Sequence, residues 1–279
     1  MTTPQDRYIQ VGQICARYWS GGNHGSPVVL IHGLGEYVET WTPSFEALAS
    51  EHRVYAVDLP GHGRTDKPPS ASYDIAWLAK FADGFRAALG FEHAHVVGHS
   101  LGGAVATRLA LMHPAAVDRL VLVASGGLGR EVSTLLRAIT LPMVGEMMKR
   151  PSRSGSADVL RRIVYDPAVV PDELVDLDYR LSILPHAQQS FLKTLRANVN
   201  LFGQRSSEYR CHLHGLSSIT QPVLIIWGRQ DPLLPVAHAE AAARTVPDVQ
   251  LRILDECGHN PMLEHPQAFN EWVLEFLAD

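Results

Sequence analysis

The segment Gly98-His99-Ser100-Leu101-Gly102 stands between a β-type run, AHVV, and a helix-type run, GAVATRLALM. A chain that passes from strand to helix across one serine must turn so sharply that the serine backbone is strained and side chains two residues to either side collide. Glycine answers that crowding, and Gly98 and Gly102 supply it on both flanks. A strand, a G-x-S-x-G turn and a helix in this order form the context of a nucleophile elbow, which exposes the serine hydroxyl at the carboxyl edge of a layered α/β sheet. A serine that merely caps a helix beside packing glycines accounts for the residue types but not for the preceding strand.

The rest of the chain agrees with that layering. Compact Val/Ile/Leu-rich runs, PVVLIH, RVYAVDL, AHVVGHS, RLVLVAS, PVLIIWG and VQLRILD, lack clean polar alternation and read as strands buried on both faces of a mostly parallel sheet. Between them, TPSFEALASE, DIAWLAKFADGFRAALG, LGGAVATRLALMH, PVAHAEAAARTV and PQAFNEWVLEFLA carry the spacing or the Ala/Leu content of crossover helices. RYIQVGQICARYWS, ahead of Gly21-Gly22-Asn23, reads as an opening hairpin at a sheet edge. From Leu128 to about Gly215 the alternation stops. Val132 to Lys149 and Pro171 to Leu201 look helical, with Pro151 to Ser156 as a mobile loop. The expected organisation is a core of residues 1–127 and 215–279 interrupted by a helical cap, 128–214.

A serine hydroxyl is a weak nucleophile at neutral pH, so Ser100 requires a base and a third group that holds the base in the right tautomer. Asp231, in WGRQDP after the strand PVLIIW, is the leading acid, and His259, in CGHNP after the strand VQLRILD, is the leading base. Both follow strands and so belong to the carboxyl edge where α/β sheets collect functional groups. Asp231 also fits a turn before Pro232. Asp255 and Glu256 are rival acids, but they lie so close in sequence to His259 that local or solvent contacts suit them better. His52, His113, His238 and His265 read as surface or capping residues. An oxyanion requires preorganised N–H donors; the amide of Leu101 at the start of the elbow helix and the amide of Leu34 in the His32-Gly33-Leu34-Gly35 turn are assigned that place.

Taken together, HGLGEYVETW, DLPGHGRTDKP, GHSLGG, WGRQDPLLP and CGHNPMLEHPQAFNEWVLEFL resemble the α/β-hydrolase superfamily over nearly the whole chain, in its esterase-like branch with a helical cap. The resemblance implies a triad of Ser100, Asp231 and His259 with an oxyanion hole at Leu34 and Leu101, matching the residue reading. Serine at the elbow separates the chain from haloalkane dehalogenases and epoxide hydrolases, which place aspartate there. The expected activity is carboxylic ester hydrolysis through an acyl-enzyme. An alternative is C–C bond hydrolysis of vinylogous diketone ring-fission products: the C-terminal tail is similar to those enzymes, and Arg180 is the candidate for their carboxylate-binding arginine. The chain departs from them at His99, where they show asparagine, and at Asn260, where they show tryptophan. A third reading, from another class, is a non-catalytic ligand-binding protein on the same fold.

Composition narrows the partners. With 46% hydrophobic and 19% charged residues the chain is globular, and Lys+Arg 24 against Asp+Glu 29 gives net charge −5, which offers no field for a phosphate backbone. Nucleic acid is excluded as an expected partner. Cys15, Cys211 and Cys257 are odd in number, widely spaced and without C-x-x-C, so neither a disulfide framework nor a zinc ribbon is expected. The start MTTPQDRYIQ lacks an apolar leader core, and His93 to Thr107 is too short and too interrupted to cross a bilayer. A cytoplasmic enzyme without metal or organic cofactor follows, since G-x-x-x-x-G-K, H-E-x-x-H and a strand-linked G-x-G-x-x-G are missing. Its partner is a small ester with a hydrophobic group, roofed by Leu135, Leu136, Ile139, Leu141, Met143, Val144, Met147 and Met148.

Overall fold

The structure, a computed structural model, describes residues 4–278; Met1 to Thr3, which open the stretch read for a leader, and Asp279 lie outside the described residues. Eight strands form the main sheet: β1 (Arg7–Val11), β2 (Ile14–Gly21), β3 (Pro27–Ile31), β4 (Arg53–Val57), β5 (Ala94–His99), β6 (Val117–Val123), β9 (Val223–Gly228) and β10 (Val249–Leu254). Two short strands, β7 (Val199–Asn200) and β8 (Gly203–Gln204), pair as a separate ribbon. The sheet order is β1-β2-β4-β3-β5-β6-β9-β10, antiparallel at β1/β2 and β2/β4 and parallel from β4 onward. This is the expected α/β hydrolase fold. β1 and β2 form the edge hairpin, closed by Gly12 and Gln13 rather than by the later glycine-rich turn, with Gly12 at φ 58°.

Period-2 alternation divides the core between two faces. Val29 and Ile31 of β3 point to one side, where they meet Leu78 and Phe85 of α2 (Ile75–Ala88) and Val105 and Leu109 of α3 (Leu101–Met112). Val28 and Leu30 point to the other, against Phe45 and Leu48 of α1 (Thr42–Ala49). The helices after the interruption divide likewise: α10 (Ala237–Ala243) joins the first face, while α12 (Pro266–Leu277), which follows the short α11 (Pro261–Glu264), joins the second. Double-sided burial explains why β3, β5 and β9 are buried at every position and read as continuous apolar runs. β10 departs from that expectation: it is the sheet's other edge, and only Leu254 is buried.

Between β6 and β9 no strand joins the main sheet. The segment holds α4 (Thr134–Ile139), α5 (Val144–Met148), α6 (Arg153–Arg162), α7 (Asp172–Ser182), α8 (Ala187–Asn198) and α9 (Ser206–Gly215). The stretch expected as a mobile loop, Pro151 to Ser156, is instead a helix start. Ser152 is an N-cap whose hydroxyl accepts the Gly155 amide at 3.0 Å, so the Ser/Gly-rich composition encodes a first helical turn.

The elbow closes at van der Waals limits. Ser100 sits at φ 52°, ψ −115°. A Cβ on Gly98 would lie 2.3 Å from the Gly102 carbonyl oxygen, and one on Gly102 would lie 2.1 Å from the carbonyl oxygen of Ile31 at the end of β3. These are backbone obstacles that no rotamer change relieves. Gly102→Ala is expected to lower stability by about 2–3 kcal/mol or more, the scale of core overpacking. A lowered midpoint in urea unfolding checks it; an unchanged midpoint contradicts the stated crowding.

Candidate active site

The sheet order reverses where β3 and β5 lie side by side while their connections run to opposite directions, a place where α/β folds open a crevice at the strands' carboxyl ends. His32 and Ser100 follow these two strands directly. The Ser100 amide donates to the Val123 carbonyl at 2.9 Å, and its carbonyl accepts the Gly126 amide at 2.8 Å, so the strained residue is held from both sides by the chain leaving β6.

The three residues assigned from sequence meet here. Ser100 Oγ lies 2.9 Å from His259 Nε2, and His259 Nδ1 lies 2.7 Å from Asp231 Oδ2. Both the imidazole and the carboxylate are buried. The other Asp231 oxygen, Oδ1, accepts the amides of Leu233 at 2.8 Å and Leu234 at 3.0 Å. The turn suggested by Pro232 and the contact with His259 are therefore two halves of one carboxylate. Burial pushes the His259 imidazole down, but the charge and hydrogen bond of Asp231 more than offset it, and its pKa stands above the ordinary histidine value. The arrangement can take a proton from the hydroxyl while holding the resulting imidazolium.

The other sequence candidates lie elsewhere. Asp255 is exposed and ion-paired with Arg229, and Glu256 is exposed at φ 51°, so neither rival acid faces His259. His113 and His265 occupy helix ends as expected. His52 and His238 do not: both are buried, His52 with its ring edge-on to His95 and His238 beneath Gly129, because aromatic rings this size fill gaps under loops as readily as they cap helices. Leu34 and Leu101 line the crevice beside Ser100, and no side chain caps α3.

The crevice opens into a cavity of about 430 Å³ whose wall is mostly apolar. Of the eight residues expected as its roof, Leu135, Leu136 and Ile139 line it. Leu141, Val144 and the three methionines do not. Met143 is 83% exposed and Met147 61%, since α5 turns that edge outward. Arg180 is exposed and off the wall as well. Val159 and Leu160 of α6 and Ile163 just beyond it lie in a stretch to which the sequence assigns no element, and Phe191 and Leu195 come from α8. The wall also carries charge: Glu36, Arg162, Lys149, whose ammonium lies 4.4 Å from the Phe191 ring centre, and Asp178, whose carboxyl burial pushes up.

Two further residues have no counterpart in the sequence reading. Glu264 accepts the amides of Gly258 at 2.8 Å, Asn260 at 3.0 Å and Tyr165 at 2.7 Å, binding the His259 loop to the segment after α6. Its position within α11, reaching back to amides ahead of the helix, is the signal that capping logic offers. The His259 amide itself donates to the Ile163 carbonyl at 2.7 Å, and a Cβ on Gly258 would meet that oxygen at 2.5 Å. Glu36 is the second, reached through His99. The three cysteines are free, no group of three or more His, Cys, Asp or Glu among the described residues is arranged to hold a metal, and none of their helices is long and apolar enough to cross a membrane.

An uncharacterized protein of Mycobacterium tuberculosis is 37% identical over 262 residues, covering 91% of this chain and 75% of the relative. A 2-hydroxymuconate semialdehyde hydrolase of Pseudomonas sp. is 32% identical over 260 residues, covering 91% and 88%. Among solved structures, a meta-cleavage product hydrolase from Pseudomonas fluorescens superposes with TM-score 0.83 at 30% identity, covering 97% of this chain and 96% of that one. Residues 26–266 match the model of the alpha/beta hydrolase fold, and with that match and these relatives the chain belongs to the α/β-hydrolase family.

Proposed function

We propose that this hydrolase cleaves carboxylic esters that carry an apolar acyl or aromatic group, through an acyl-enzyme on Ser100. The observation that carries the reading is the unbroken chain Ser100, His259, Asp231 at 2.9 and 2.7 Å, opening on a mainly apolar cavity. His259 takes the Ser100 proton as the hydroxyl oxygen attacks the carbonyl carbon, and the Leu34 and Leu101 amides receive the oxyanion. His259 then returns the proton to the departing alcohol oxygen. In the second half it activates water against the acyl-enzyme, while Asp231 holds the imidazolium throughout. The helical segment 128–214 acts as the cap that roofs the apolar group.

C–C bond hydrolysis is the second reading. Relatives named for such substrates favour it, and so do Lys149 and Arg162, cations on the cavity wall. Against it, Arg180 points to solvent, Asp178 places a carboxylate on the same wall, and His99 and Asn260 stand beside the serine and the histidine. Turnover of nitrophenyl esters and of a vinylogous diketone acid, each beside Ser100→Ala, separates the two. Ester turnover is expected to exceed C–C cleavage and to vanish in Ser100→Ala together with covalent phosphonate labelling. The reverse ranking makes the chain a C–C hydrolase, and binding without turnover makes it a ligand-binding protein.

The proton-accepting role sets the pH dependence. His259 must be neutral to act as a base, and its pKa is raised, so activity is lost as pH falls through a value above the ordinary 6.5. The acid limb of kcat/KM in the wild type is expected above that value. Asp231→Asn removes the charge that raises it and is expected to move the limb down while lowering kcat by roughly 10⁴-fold. A limb that stays in place contradicts the coupling.

A further inference from the structure

The loop after β3 folds back on itself at Gly33-Leu34-Gly35, with Gly35 at φ 77°, and returns Glu36 over Gly33. Glu36 Oε2 accepts the Gly33 amide at 2.6 Å. A Cβ on Gly33 would stand 2.8 Å from that oxygen and 3.0 Å from Ser100 Cβ, so a side chain there would crowd both the carboxylate and the nucleophile. The same Oε2 lies 2.8 Å from Nδ1 of His99, and the other ring nitrogen of His99, Nε2, lies 2.8 Å from the backbone carbonyl oxygen of His259. His99 is wholly buried, and its ring centre is 4.9 Å from that of His259.

Both nitrogens of His99 thus face oxygen. A carbonyl can only accept, and the Glu36 oxygen that faces Nδ1 already accepts the Gly33 amide, the place of a carboxylate acceptor. The two bonds coexist only when the His99 ring carries both protons. A ring with one proton would turn a lone pair toward one of the two oxygens. The pair is neutral as a whole, so it ties segments together without adding net charge beside the oxyanion or the His259 imidazolium.

We propose that Glu36 and His99 are positioning residues, a buried carboxylate–imidazolium pair that sets the oxyanion loop and the His259 backbone at a fixed distance from each other across Ser100. It joins the ends of β3, β5 and β10 beneath the reacting atoms, as Asp231 joins β9 to β10 beside them. The inference rests on the triad reading above but is independent of whether the substrate is an ester or a diketone.

Glu36→Gln discriminates charge from shape. Because one oxygen accepts from both Gly33 and His99, an amide oxygen in its place keeps the Gly33 bond but no longer supports a doubly protonated ring, and the bond to His259 is lost. Glu36→Gln and His99→Ala are each expected to lower kcat by roughly 10- to 100-fold, the scale of small misplacements in a site, with KM within about threefold. Phosphonate titration is expected to give the wild-type number of sites at a slower rate. The double variant is expected to be no worse than the worse single one, since both remove one link. Unchanged kcat in either variant, or losses that multiply, overturns the proposal. Should a variant fail to fold, nitrogen-15 spectra of the wild type decide: two protonated ring nitrogens on His99 at neutral pH support the pair, and a singly protonated ring overturns it. A wild type that no phosphonate labels overturns the nucleophile assignment instead, which a labelled wild type with unaltered variants leaves standing.

Discussion

The constraint on which the site depends is backbone against backbone. The elbow helix starts so near β3 that Gly102 leaves no room for a methyl group before the Ile31 carbonyl, and Gly98 leaves none before Gly102. That approach brings the chain leaving β3 alongside the chain leaving β5, and Leu34 and Ser100 stand on those two chain ends. Neither side chains nor charges set this distance; the absence of Cβ atoms does. Every later element of the site is placed relative to it.

Buried polar groups then maintain the placement. Asp58, at the end of β4, accepts the amides of Val38 and Arg64 and the guanidinium of Arg17. His32 accepts the Leu59 amide at Nε2 and donates from Nδ1 to the Gly33 carbonyl, which fixes its tautomer; burial, the largest influence on it, lowers its pKa and keeps the ring neutral. These contacts bind the loops of β3 and β4 to each other, on the far side of the cleft from Asp231. Each is a polar group removed from water and satisfied by a partner at a defined angle, so loss of one leaves the other unsatisfied.

What was legible in the sequence depended on local rules. The strands showed as apolar runs because double-sided burial leaves no polar alternation, and Ser100, Asp231 and His259 showed because each follows such a run. Chain order told which strand ends they occupy, although not the 2.9 and 2.7 Å contacts that bring them together. Contacts between distant segments were not legible. Glu36 and Glu264 look like ordinary surface acids in one dimension, and they acquire partners only when β3 meets β5 and when α11 meets the chain after α6. The methionines of α5 misled for the opposite reason: an apolar stripe says that a face is apolar, not which way tertiary packing turns it. Ser152 shows a narrower failure, in which a residue favoured in both loops and helix caps was assigned to the wrong one.

The bond from the His259 amide to the Ile163 carbonyl reaches from the histidine loop into the segment between β6 and β9. Glycine at 258 admits the chain after α6 to within contact of the histidine loop, and Glu264 fastens both. The segment between β6 and β9 is therefore tied to the sheet's loops well inside its two ends. A foreign segment grafted in without residues 163–165 would leave the His259 amide without its acceptor and Glu264 without the Tyr165 amide, so the histidine loop would lose its hold at a point far from either graft end.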